Sequence, residues 1–270
     1  MKLPIAYQIY SAREDAQRDF DATLGQIKAI GYDGVEFAGF YGHTADNVKA
    51  MLEKHGLQAV SSHVPMALIE ADMFGTIAYH QTIGCPYIAV PFLDESSRPG
   101  GPRFAAMIQV IFKFGRLCKE AGITLLYHNH DFEFVKLSGQ YGLDFLYDAV
   151  PADILQTEID TCWVKYAGLE PAEYVRKYAG RCPLVHLKDY VGRRDGKTPY
   201  GLIGTDKIAD ADVAFSFKPV GMGSQDFPAI VAAAVESGAK WLIVEQDQSM
   251  ERTPLEAAKL SREYLSTIGL

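Results

Sequence analysis

The chain has 270 residues, 48% hydrophobic and 22% charged, the balance of a folded globular protein rather than a disordered or fibrous one. Its 26 Lys and Arg against 34 Asp and Glu leave a net charge of −8, and with no basic run the surface is poorly suited to a phosphate backbone, so nucleic-acid binding is not expected. No apolar stretch approaches the roughly 20 residues of a membrane span, and Met1-Lys2-Leu3-Pro4 opens no signal peptide, so a cytoplasmic protein is expected.

In chain order, residues 3–9 read as a first strand. Residues 14–30 place Phe20, Leu24, Ile27 and Ile30 on one helical face, closed by Gly31. The alternation then repeats. Strands are predicted over 34–37, 58–64, 87–92, 124–130, 154–161, 184–188 and 241–245. Helices are predicted over 44–55, 72–83, 103–121, 143–150, 171–178 and 254–268. Runs such as Tyr-Ile-Ala-Val and Trp-Leu-Ile-Val are apolar throughout, as expected of strands covered on both faces. Eight strand–helix units without a linker point to an α/β chain folded as a single (β/α)8 TIM barrel over residues 1–270. A doubly wound open sheet would want a glycine-rich phosphate loop after the first strand, and Tyr10-Ser11-Ala12-Arg13 stands there instead. One segment, about 190–223 after the seventh strand, is too long for an ordinary loop and lacks periodicity. It reads as an insertion that either covers a substrate or is ornamental.

Polar residues are scarce inside these strands, so those at the C-terminal ends carry information. The ends read Ser61-Ser62-His63, Tyr127-His128-Asn129-His130, Glu158-Ile159-Asp160, His186-Leu187-Lys188 and Glu245-Gln246-Asp247. Side chains alternate along a strand, so His128 and His130 share a face, as do Glu158 and Asp160, and His186 and Lys188. If that face is the barrel interior, strands five to eight aim imidazoles and carboxylates at one point. Such a cluster is costly to bury without a counter-charge, and a divalent cation would supply one. Mixed imidazole and carboxylate donors suit Mn, Co, Fe, Mg or Zn. For Glu158 an ordinary ion pair with Lys165 or Lys188 is the competing reading, and for Lys188 one with Glu158 or Asp189. His43, His55 and His80, on or near the second and third helices, read as surface residues. Trp163 reads either as a platform for a sugar face or as core. Cys85, Cys118, Cys162 and Cys182 form no CxxC pair and read as small buried residues.

At these residues the chain resembles the xylose-isomerase-like TIM barrel superfamily, which includes sugar phosphate isomerases/epimerases, ketose 3-epimerases, inosose dehydratases and endonuclease IV. The resemblance is carried by Gly31-Tyr32-Asp33-Gly34-Val35-Glu36-Phe37, Ser61-Ser62-His63-Val64-Pro65, Glu158-Ile159-Asp160-Thr161-Cys162-Trp163, Val185-His186-Leu187-Lys188-Asp189, Gly221-Met222-Gly223 and Val244-Glu245. It implies a divalent metal held by Asp160, His186 and Glu245. The fourth ligand departs from the family pattern, because His128 stands where a Glu is usual; either Glu158 or His128 completes the set. Trp163 replaces a His common after the sixth strand, which argues against a multi-zinc endonuclease.

The resemblance further implies Glu245 and His128 as bases and Lys188 as a proton donor, with His63, His130 and Trp163 against the substrate. The activity implied is a sugar isomerase or epimerase acting by proton abstraction beside a carbonyl, through a metal-stabilised enediolate. Alternatives are a lyase or dehydratase on a keto-sugar or inosose, and an inactive carbohydrate-binding relative. The partner implied is a small sugar or sugar derivative, and the family's barrels often assemble as homo-oligomers. The Gly221-Met222-Gly223-Ser224 stretch reads as a turn more readily than as an anion cradle.

Overall fold

In the computed structural model, which describes residues 2–194, 199–203 and 214–270, eight parallel strands close into a barrel. They are β1 (Ile5–Gln8), β2 (Gly34–Phe37), β3 (Gln58–His63), β4 (Tyr87–Val90), β5 (Thr124–His128), β6 (Leu155–Asp160), β7 (Leu184–Leu187) and β8 (Trp241–Val244). Each pairs with its sequence neighbours, and β8 returns to β1 through Ile5 opposite Leu242 and Tyr7 opposite Val244. The chain is a single (β/α)8 barrel, as its alternation predicts.

Helices cover the outside, and their boundaries follow local chemistry. The helix read over 14–30 is two helices, Arg13–Arg18 and Phe20–Ile30. Asp19 adopts extended backbone between them, and its carboxylate accepts from the Ala22 amide as an N-cap. Gly31 ends the second with φ near +105°, a conformation that a side chain would strain. Two six-residue helices, Met66–Ala71 and Thr161–Tyr166, and the ten-residue helix Phe227–Glu236 add to the predicted set.

The predicted insertion opens and closes with an antiparallel pair, Asp189–Gly192 against Phe215–Lys218. Between them residues 199–203 carry a short 3-10 turn, Tyr200–Ile203, and residues 195–198 and 204–213 lie outside those described.

Inside the barrel, Ala6, Val60, Ala89, Leu126, Leu184 and Ile243 form a buried apolar plug at the N-terminal end. A residue two further along a strand points to the same interior one layer higher. This parity places Gln8, Glu36, Ser62, His128, His186 and Glu245 above the plug, where the chemistry of the interior changes. The four cysteines are unpaired and buried.

Candidate functional site

The sixth-strand end shows how the backbone sets up the site. Asp160 is the last residue of β6 and caps the helix that follows. One carboxylate oxygen, Oδ1, accepts from the amides of Cys162 (2.8 Å) and Trp163 (3.1 Å). The other, Oδ2, is left facing the barrel axis. Asn129 ties β5 to the same point, with its Oδ1 accepting from the Asp160 amide (3.0 Å) and its Nδ2 donating to the Asp160 carbonyl (3.3 Å). Thr161 donates its hydroxyl to the His186 carbonyl (2.7 Å), which joins β6 to β7.

His186 lies at the centre. Its Nδ1 is 3.0 Å from Glu245 Oε2, and its Nε2 is 2.8 Å from Glu36 Oε2. His63 Nε2 sits 2.7 Å from Glu158 Oε2 and 3.2 Å from Glu36. His128 Nδ1 is 3.1 Å from Glu158, and its Nε2 is 3.7 Å from Asp160 Oδ2. Lys188 extends its ammonium between Glu245 (2.8 Å), Asp247 (2.9 Å) and Asp160 (3.1 Å). All these side chains are buried.

Two overlapping groups have donor atoms close enough to share one cation, each within 4.8 Å of one another. One is His128, Asp160, His186 and Glu245; the other is His63, His128, Glu158 and His186. Of the two candidates for the fourth position, His128 therefore falls with the three matched ligands. Glu158 falls with His63.

The donor set fits a divalent cation. Asp160, Glu245 and Asp247 share one ammonium, while Glu36 and Glu158 pair with imidazoles. Glu36 Oε1, Glu158 Oε1, Asp160 Oδ2, His186 Nε2 and Asp247 Oδ2 are buried without an aligned hydrogen-bond partner, a costly state for polar atoms. Proton affinities show the same stress. Burial, reinforced by Glu158, pushes Glu36 above the usual carboxylate range. Burial, reinforced by Glu245, pushes Asp247 up to about 7 against the pull of Lys188. Burial alone would disfavour the charged Lys188, but Asp160, Asp247 and Glu245 outweigh it and hold the ammonium protonated. Burial also opposes ionisation of Glu245, yet Lys188 and His186 keep it an anion. His128 has no such surplus of partners, and burial drops it to about 4, leaving a neutral imidazole at neutral pH.

Above these groups opens a cavity of about 690 Å³, lined at its floor by His63, His128, His130, Lys188, Glu245 and Asp247. His130 is buried and held by Glu133, whose carboxylate accepts from the His130 amide (2.8 Å) and from the Tyr127 hydroxyl (2.7 Å). The turn Tyr200–Ile203 closes over one side. Tyr200 hydrogen-bonds Asp131, Tyr10 donates to the Ile203 carbonyl (2.7 Å), and Ile203 lines the cavity.

Some expectations need correction. His80 is not a surface residue. It is buried, its Nδ1 is 2.6 Å from the Thr76 carbonyl, and its ring meets Phe40 edge-on, because Phe40 folds over that helix. His43 and His55 are half-buried, the first stacked on Phe20 and the second paired with Asp21 at 2.8 Å. Trp163 is fully buried, stacked on Phe215 and edge-on to Phe217, so the hairpin covers the face that a sugar would need. Lys188 pairs with neither Glu158 nor Asp189. The Asp189 carboxylate instead accepts the amides of Gly221, Gly223, Ser224 and Gln225, which leaves that glycine-rich turn nothing to offer an anion. Glu36 and Gln8, which donates to it (2.6 Å), belong to the cluster although the sequence assigns neither a role. An isolated carboxylate in an otherwise apolar four-residue strand was the signal.

The model of the xylose isomerase-like TIM barrel family matches residues 24–268. The chain belongs to this family. Among curated relatives, the inosose dehydratase of Geobacillus kaustophilus is 24% identical over 274 residues, spanning 92% of this chain and 87% of the relative. Among solved structures, a sugar phosphate isomerase/epimerase from Parabacteroides distasonis superposes with a TM-score of 0.78 at 21% identity, over 98% of this chain and 94% of that one. The IOLI protein with a bound zinc atom superposes with a TM-score of 0.72 at 14% identity, over 98% of both chains. The resemblance read from the sequence is thereby established as family membership. Among the described residues no helix is long and apolar enough to cross a membrane.

Proposed function

We propose that this chain is a divalent-metal-dependent enzyme that removes the proton beside a carbonyl of a sugar or cyclitol. The observation that carries this reading is the group His128, Asp160, His186 and Glu245, four buried donors at the ends of four consecutive strands, of which His128 and Glu245 line the floor of an open cavity. These four residues would hold the cation, which would stabilise negative charge developing on the carbonyl oxygen. His128 takes the fourth position in this reading, and Glu158 instead orients His63 and His128 from below.

Glu245 is the base. It is an anion at the cavity floor, and Lys188 beside it holds the ammonium that can return a proton to oxygen. His63 and His130 add donors and acceptors for hydroxyl groups at the same floor. Return of the proton to carbon gives the isomerisation or epimerisation expected from the sequence. Loss of a β-oxygen gives a lyase or dehydratase, and one observation favours this second outcome. With His128 in place of a carboxylate, Glu245 has no opposed carboxylate on β5 to complete a symmetric two-base exchange.

The test is incubation of metal-loaded protein with ketoses, inososes and 3-keto sugars in D₂O. Deuterium at the carbon beside the carbonyl of an intact sugar supports isomerisation or epimerisation, and release of water or an aglycone supports elimination. Absence of both across the panel contradicts the reading.

A further inference from the structure

The cavity is chemically two-ended, and its far end is not built for a sugar. Away from the polar floor it is walled by Phe40, Val64, Pro65, Leu68, Tyr79 and Phe92. Phe40 and Tyr79 stack at 4.2 Å between ring centroids, forming a firm apolar wall beyond the ends of β2 and β3. Leu68, on the helix Met66–Ala71, remains 60% exposed at the rim, a large apolar side chain left in water next to an open cavity. At about 690 Å³ the cavity is in the range that encloses drug-sized ligands, and a lone hexose would underfill it.

Charge narrows the occupant further. Among the described lining residues the one Lys or Arg is Lys188, and its ammonium is already shared by three carboxylates. Arg13, behind Tyr10, donates to the carbonyls of Tyr10 and Asp247. Asp72 adds a carboxylate at the apolar rim, where it caps the Met73–Ile83 helix through the Gly75 amide. A phosphate dianion would meet carboxylates at the floor and apolar carbon at the wall, and the described lining holds no cluster of free cationic donors to receive it.

We infer that the substrate is an unphosphorylated sugar carrying an apolar substituent, an aryl or alkyl glycoside in oxidised form, with its sugar at the polar floor and its aglycone against Phe40, Leu68 and Tyr79. This deepens the enolisation reading and rests on it, so the test uses binding rather than turnover. Isothermal titration of the metal-loaded protein compares a panel of phenyl hexosides with the parent hexoses and their 6-phosphates. The best phenyl hexoside binds at least about tenfold tighter than its parent hexose, and the 6-phosphate binds no tighter than the parent. Leu68→Asp, at a position 60% exposed, cuts the advantage of the aryl group to less than about threefold and leaves hexose affinity unchanged; Phe40→Ala, which removes the ring stacked on Tyr79, cuts it likewise. Equal affinity for hexose and phenyl hexoside, preference for the phosphate, or an aryl advantage unmoved by Leu68→Asp overturns the inference. The two readings separate cleanly. Aryl selectivity without deuterium exchange on any keto-glycoside sinks enolisation alone, and exchange on simple keto-sugars without aryl selectivity sinks this inference alone.

Discussion

The two halves of the barrel interior are built from the same strands and obey opposite rules. In the lower half, Ala6, Val60, Ala89, Leu126, Leu184 and Ile243 pack as an apolar plug. Two residues on, the same strands present Gln8, Ser62, His128, His186 and Glu245, joined by Glu158, Asp160 and Lys188. The lower half lowers the free energy of the fold by removing carbon from water. The upper half holds groups whose burial opposes folding unless each finds a counter-charge. Stability and chemistry are thus separated by about one strand layer, and substitutions in the two halves should have different signatures.

The largest contrast is between Glu245 and Leu126. Glu245→Gln removes the base and should lower deuterium exchange by roughly 10²–10⁴-fold, with little loss of folding stability because a buried anion goes with it. Exchange within threefold of the parent would reject Glu245 as the base. Leu126→Ala should do the reverse, costing about 2–5 kcal/mol in urea unfolding and leaving exchange per folded molecule unchanged.

Glu36 sharpens the comparison, since it sits in the upper half but does not itself line the cavity. Its 2.8 Å contact fixes the Nε2 side of His186 and so aims Nδ1 at Glu245. Glu36→Gln should weaken metal affinity about 10–100-fold by titration calorimetry, while the metal-free protein melts no lower than the parent. A lower metal-free melting point would make Glu36 a structural residue instead.

The smallest effect concerns Glu133, which burial raises to about 8 from an ordinary 4.5. The folded state keeps a proton that the unfolded chain releases. Its contribution to stability is therefore full below pH 4.5 and is lost as pH rises to about 8. Glu133→Gln cannot titrate, so its melting temperature should fall less between pH 5 and pH 8 than that of the parent. An unchanged fall would reject the assignment.

The fold was legible because its strands are apolar runs bounded by glycine, a pattern that needs no tertiary information. What was lost was local. Asp19 breaks one predicted helix, and the helix Thr161–Tyr166 is too short to show periodicity. The grouping of His128, Asp160, His186 and Glu245 could be anticipated from period-two alternation, since register and barrel closure do the rest. Alternation does not say how far each side chain reaches, which is why Glu36 and Asp247 received no role. Nor does it give the burial of residues beyond a strand end. Trp163 lies under a hairpin whose strands, Asp189–Gly192 and Phe215–Lys218, are separated by 22 residues and pair only in three dimensions.

The central claim is that the upper interior is a cation site centred on four particular donors. Anomalous diffraction from crystals soaked in Mn²⁺ tests it directly. The account predicts one strong peak with His128, Asp160, His186 and Glu245 as its protein ligands. A peak held by His63 and Glu158 in place of Asp160 and Glu245, or no peak at saturating Mn²⁺, would contradict it.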